Sequence, residues 1–229
     1  MALLAELSNV AMARAATSLR QMVKHQVLLS VPSVDILSKD AAAQIIGKSD
    51  SPTLVAVRQN FTGPFSGRAL LIFPESNSLE LVRAVVGHEA PLEDIGSLED
   101  EALAETGNII LNSWVATIAN LLKRSLKMSL PVVIRGDSQQ MLRGEEAQTL
   151  VLFLRIRFEI STRNIQGYVA LLMDIPSIDS LRALLADFIE SEARRAKGGS
   201  GRGPRCHSDA QVVCASSKLL SRPEMSPLG

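Results

Sequence analysis

One pattern of residues occurs twice in this 229-residue chain. Glu6, Asn9 and Pro32 spell Glu-x2-Asn-x22-Pro, and Glu105, Asn108 and Pro131 spell it again at a constant offset of 99. Gly67 and Gly167 continue the correspondence at an offset of 100. A fixed triple of such residue types arises by chance roughly once in 10⁴ positions. Two copies in matching contexts therefore record a duplicated α/β unit of about 95 residues, too short to be a solenoid array.

The contexts match in hydrophobic period. Residues 3–24 and 99–124 are rich in Ala and Leu with apolar positions at helical spacing. Each is followed by a strand-like run, 26–31 stopped by Pro32 and KMSLPVVI with Pro131 inside it. Further strand candidates are 53–60, 65–73, 148–160 and 165–173. Short helices at 78–87 and 178–190 close the halves, and residues 88–98 connect them. Gly67 and Gly167 each sit between strand-like residues, where glycine marks a hairpin, a bulge or a close backbone approach. The expected organisation is one domain over 1–193, with repeats at about 1–95 and 96–193, and a tail at 194–229.

Charge narrows the function classes. Lys plus Arg and Asp plus Glu are 24 each, and 46% of residues are hydrophobic. That balance argues against nucleic-acid binding through bulk positive charge. Aromatics at 3% argue against base stacking. No apolar run reaches the roughly 20 residues of a membrane span, and no secretory signal is evident, so a cytoplasmic location is expected. The tail carries seven basic and two acidic residues, with Gly and Pro throughout, and reads as disordered. Cys206, His207 and Cys214 in it are weak grounds for a metal site. A solvated appendage is the plainer reading of the tail than a contact with an acidic surface, nucleic acid or membrane.

The chemistry rests on the repeated pair. Residues at i and i+3 share a helix face, so each copy places a carboxylate beside an amide. The carboxylate can hold a cation such as a partner's lysine, and the amide can donate, accept and orient water. No His or Cys accompanies either pair, which argues against nucleophilic catalysis. His25 and His88 read as surface residues, and Trp114 as core. The bland alternative is that Glu6 and Glu105 are ordinary surface acids and the asparagines tolerated polar positions. Asparagine is a poor helix-interior residue, so two at matching places call for a reason.

With these residues in hand, the chain resembles the CheC-type phosphatases of bacterial chemotaxis, the family that includes CheX and FliY. Their pattern is Asp/Ser-x3-Glu-x2-Asn-x22-Pro, and the likeness runs over about residues 2–190, through AELSNVAMARAATSLRQM and AETGNIILNSWVATIANLL. The resemblance implies an α+β fold of pseudo-two-fold symmetry. In it two long motif helices pack with an antiparallel sheet and offer Glu6, Asn9, Glu105 and Asn108 to solvent. It implies a phosphatase acting on the phosphoaspartate of a receiver domain such as phosphorylated CheY. The asparagine would orient a water, and the glutamate would pair with a receiver lysine. The Mg²⁺ would belong to the receiver, with no cofactor of the chain's own. A CheD-like deamidase is a further partner it suggests, and a non-catalytic receiver-binding or flagellar-switch adaptor is the alternative function.

The Asp/Ser position departs from the pattern in both copies, as Ala2 and as Glu101. Only five residues precede Glu6, so the first helix is expected to lack a firm opening turn. Glu105 and Asn108 are accordingly the expected stronger site.

Overall fold

A computed structural model describes residues 2–23, 26–48, 53–86, 92–143, 149–160 and 163–198. The first half runs α1 (Ala2–Val23), β1 (Val27–Ser38), α2 (Lys39–Ile46), β2 (Leu54–Thr62), β3 (Gly67–Pro74) and α3 (Glu75–Val86). The second runs α4 (Leu92–Leu121), β4 (Lys127–Met128), β5 (Val132–Gly136), α5 (Ser138–Leu142), β6 (Thr149–Ile160), β7 (Arg163–Asp174) and α6 (Ile175–Gly198).

All seven strands form one antiparallel sheet in the order β1-β6-β7-β3-β2-β4, with β5 also on β2. The duplication is visible at its centre. β3 pairs with β7 through Leu70↔Ala170, residues 100 apart, so the pseudo-dyad passes through this pair. The outer strands are exchanged: β1 of the first half pairs with β6 of the second, and β5 of the second with β2 of the first. Neither half completes a sheet alone.

The glycines flank the dyad. A Cβ at Gly67 would strike the Leu172 carbonyl, and one at Gly167 would lie 2.9 Å from the Ile72 carbonyl. Leu172 and Ile72 are themselves 100 apart. Both glycines thus mark a close backbone approach between the central strands.

Helices α1, α3, α4 and α6 contribute to a core on one face of the sheet. Leu4, Leu7, Ala11, Ala15 and Leu19 of α1 and Leu103, Ile110, Leu111, Trp114 and Ile118 of α4 are buried in it. These positions recur every three or four residues, which is why both segments are helical. Trp114 is core, as the sequence indicates, and its indole N–H donates to Ser8 Oγ at 3.0 Å, joining the motif helices. Helices α2 and α5 cover part of the other face through Ala42, Ile46, Met141 and Leu142. Their N-caps, Ser38 and Asp137, are again 99 apart, and Asp137 with Gln140 forms a capping box.

Several boundaries differ from the sequence reading. β1 does not stop at Pro32: it continues to Ser38 through a bulge between Ser30 and Ser33. Proline has no N–H to give a ladder, and a bulge is where a strand tolerates it. The second strand run is split into β4 and β5 around Pro131. α4 begins at Leu92, within the expected connection, and α1 is helical from Ala2, so its opening turn is present. α6 reaches Gly198, past residue 193. His25, His88, Cys206, His207, Cys214 and the rest of the expected tail lie outside the described residues.

Candidate functional site

Each Glu–Asn pair lies on one helix face, as the spacing requires. What the two amides do there differs.

In the first copy the amide is occupied. Asn9 Oδ1 accepts from the Val31 N–H at 2.8 Å, and its Nδ2 donates to the Val31 carbonyl at 3.2 Å and to the Ala5 carbonyl at 3.0 Å. Val31 sits in the β1 bulge beside Pro32, where the ladder to β6 lapses. The asparagine replaces the missing strand partner, satisfying both polar groups of a residue that is 3% exposed. The 22-residue spacing here is the distance from a side-chain clamp to the backbone it holds. Asn9 is exposed, as the resemblance implies, but its amide is engaged with the backbone.

In the second copy no such clamp forms. Asn108 Oδ1 accepts from Gln59 Nε2 at 3.1 Å and from Asn112 Nδ2 at 2.5 Å. Gln59 Nε2 also donates to the Ser129 carbonyl at 2.9 Å. Asn108 Nδ2 has no hydrogen-bond partner among the described residues. Leu130, the counterpart of Val31, is 84% exposed. The Asn108 side chain thus presents only its N–H donors.

Local packing explains how α4 reaches β2. A Cβ at Gly107 would land on the Val57 side chain, 2.7 Å from Cγ2. Only a residue without a side chain permits this approach, and it brings Asn108 to Gln59, two residues along β2. The first copy has Ser8 in place of Gly107. Ser8 Oγ donates to the Leu4 carbonyl at 2.6 Å and accepts from Trp114.

The acids flank these amides. Glu105 is exposed and Glu6 half-buried, and neither has a hydrogen-bond or ion-pair partner among the described residues. Glu101 is exposed and shares a face with Glu105 and Asn108. Its neighbour Asp100 instead accepts from Arg135 of β5 at 2.6 Å, with Glu99 at 3.2 Å from the same guanidinium. The Asp100 hydrogen bond, against some desolvation, raises the Arg135 pKa above its ordinary value and pins α4 to β5. No hydrogen bond joins the two Glu–Asn pairs among the described residues.

Gln59 and Asn112 were not singled out by sequence reasoning. A polar residue inside the strand run TLVAVRQN was the available signal for Gln59, and a second asparagine one turn beyond Asn108 for Asn112.

A family model described as "Chemotaxis phosphatase CheX" matches residues 55–155, a span holding Glu105, Asn108, Pro131, Gln59 and Asn112 but not Glu6, Asn9 or Pro32. "CheY-P phosphatase CheC" of Bacillus subtilis (strain 168) is 27% identical over 136 residues, covering 58% of this chain and 65% of that protein. The chain is similar to the CheC-type chemotaxis phosphatases. "Flagellar motor switch phosphatase FliY" of the same organism is 23% identical over 130 residues, covering 56% of this chain and 33% of that protein. The matched regions thus span less than two thirds of either CheC or FliY. FliY of Thermotoga maritima shares the fold with a TM-score of 0.65 at 16% identity, over 80% of this chain and 94% of that one. The FliM middle domain of V. alginolyticus shares it with a TM-score of 0.56 at 15% identity, over 78% and 98%.

Proposed function

We propose that the chain removes the phosphoryl group from the aspartate of a CheY-type receiver domain, and that it works mainly from Glu105 and Asn108. The observation that carries this reading is the unpartnered Nδ2 of Asn108 beside the exposed, unpaired Glu105. The family match supports it, because the matched span contains the second motif copy. The name of the CheC relative supplies the substrate class.

The chemistry asks little of the chain. Hydrolysis of an acyl phosphate joins a water oxygen to phosphorus and breaks the bond to the aspartate oxygen. The carboxylate is regenerated, and the proton leaves with inorganic phosphate. Such transfer depends on positioning and electrostatics. With both lone pairs of Oδ1 taken, Asn108 can hold a water only by donating N–H to one of its lone pairs, leaving the other for phosphorus. The same donors can instead reach a phosphoryl oxygen. Glu105 supplies a carboxylate for a receiver lysine, and Glu101 adds negative charge to the same face. The Mg²⁺ belongs to the receiver. Glu6 and Asn9 form a weaker second copy, since Asn9 is engaged with Val31. A cytoplasmic location follows from this substrate, and no helix among the described residues is long and apolar enough to cross a membrane.

The adaptor reading is favoured by one observation, the fold shared with the FliM middle domain. Phosphate release from a phosphorylated CheY-type receiver with Mg²⁺ separates the two. Acceleration by the chain, lost in Asn108→Ala, is the expected result. Binding of the receiver without acceleration would make the motif face a docking surface, and would direct the partner search to CheD-like deamidases and switch proteins.

A further inference from the structure

We infer that Gln59 and Asn112 are positioning residues that turn Asn108 into a donor-only group, and that they mark the second motif copy as the working one. The inference rests on the phosphatase reading for its kinetic consequence, but the orientation itself does not.

The direction of the amide follows from a backbone group. The Ser129 carbonyl can only accept, so the end of Gln59 that meets it at 2.9 Å is the NH₂. The same NH₂ reaches Asn108 at 3.1 Å, which must therefore offer its oxygen. Asn112, at 2.5 Å from that oxygen, must in turn offer its NH₂. One fixed carbonyl thus sets the orientation of three side-chain amides, and Asn108 Nδ2 is left without a partner.

The two hydrogen bonds of its NH₂ leave Gln59 half satisfied. It is 1% exposed, and its buried Oε1 has no hydrogen-bond partner among the described residues. An unpaired buried carbonyl weakens a fold. Strand register identifies its counterpart: Gln59 faces Ala69, and Leu154 faces Val169, 100 residues on. Leu154, on β6 of the second half, is 0% exposed, so the dyad-related position carries an apolar side chain. The counterpart of Asn112 is Ala13. The first copy thus lacks both donors, and there the asparagine oxygen accepts from the Val31 N–H. The residues that distinguish the copies are the ones that aim Asn108.

The test gives the second copy the residues of the first. Gln59→Leu, Asn112→Ala and the isosteric Asn112→Asp, which accepts but cannot donate, are made in the full chain. Two readouts are taken: the ¹⁵N-resolved side-chain NH₂ signals of Asn108, assigned by their loss in Asn108→Ala, and kcat and KM on a phosphorylated receiver. The expected result is that the Asn108 signals shift and lose order in all three variants. kcat should fall about tenfold to a hundredfold, as misplacement of a reacting group does, with KM within about twofold. Gln59→Leu should melt no lower than wild type while losing kcat, which a structural role would not produce. Asn112→Asp should be as damaging as Asn112→Ala, where a packing role predicts that it is silent. Unchanged Asn108 signals, or wild-type turnover in both Asn112 variants, would overturn the inference even if Gln59→Leu failed to fold. If the wild-type chain shows no turnover, the phosphatase reading fails, and the amide signals still decide the orientation.

Discussion

The two motif copies contain the same three residue types at the same spacing, yet they make different bonds. Asn9 binds both polar groups of Val31 and mends the β1 ladder where Pro32 and a bulge interrupt it. Asn108 leaves its own strand to Gln59 and keeps a free NH₂. The motif residues do not decide which outcome holds. Their neighbours do: Ser8 against Gly107, Ala13 against Asn112, and Leu154 against Gln59. A duplicated motif therefore need not mean a duplicated site, since one copy can keep its residues because the fold depends on them.

The sharpest way to break this comparison is to remove each amide. Asn108→Ala should lower turnover by about a hundredfold or more, the scale for losing one preorganised donor. Stability should change by less than about 1 kcal/mol, because Gln59 keeps the Ser129 carbonyl and Asn112 can turn to water. Asn9→Ala should do the reverse. Stability should fall by about 1–3 kcal/mol as Val31 loses both partners, and turnover should change less than in Asn108→Ala when corrected for folded protein. Phosphate release and urea unfolding of both variants check the pair. Equal kinetic losses would show that Asn9 also acts on substrate.

Gly107→Ala sharpens the comparison from the backbone side. The added Cβ meets Val57, so α4 must move off β2 and part Asn108 from Gln59. Overpacking of this kind costs about 1–3 kcal/mol, and turnover should drop with it. Ser8→Ala tests the matching place in α1, where no approach is lost and only the hydroxyl's bonds to Trp114 and the Leu4 carbonyl go. Gly67→Ala and Gly167→Ala probe the part of the molecule where the halves remain alike. Both should destabilise by similar amounts, about 1–3 kcal/mol, because each places a Cβ against the equivalent carbonyl across the dyad. A large inequality in thermal unfolding would place the dyad elsewhere.

How far these features were legible follows from their range in sequence. The duplication, the motif helices and the central hairpins rest on local period and a constant offset, and the structure keeps them. The cap pair Ser38 and Asp137 was also available locally, but the eight-residue α2 and five-residue α5 are too short for hydrophobic period to announce them. The exchange of β1 and β5 between halves depends on pairing across more than 70 residues, to which no local pattern refers. The difference in bonding between Asn9 and Asn108 was least legible. It turns on a contact between α4 and β2 that a single missing side chain, at Gly107, permits.

The smallest expected effect lies at the ends of the halves, where Pro74 precedes α3 and Asp174 precedes α6. Asp174 Oδ1 accepts from the Ser177 N–H at 2.8 Å and caps α6, while Pro74 has no side chain that can cap. The Ser177 side-chain hydrogen bond, with the backbone bond next, holds the Asp174 pKa below its ordinary value. The folded state therefore favours the carboxylate. Its contribution is fully present above the ordinary carboxylate pKa and is lost as pH falls through the lowered one. Asp174→Ala should cost about 0.5–1 kcal/mol at neutral pH, the lower part of the range for losing a cap. The gap between variant and wild type in chemical unfolding should close as pH drops below about 4. A gap that stayed constant down to the acid limit would mean that the cap acts through its shape and not its charge.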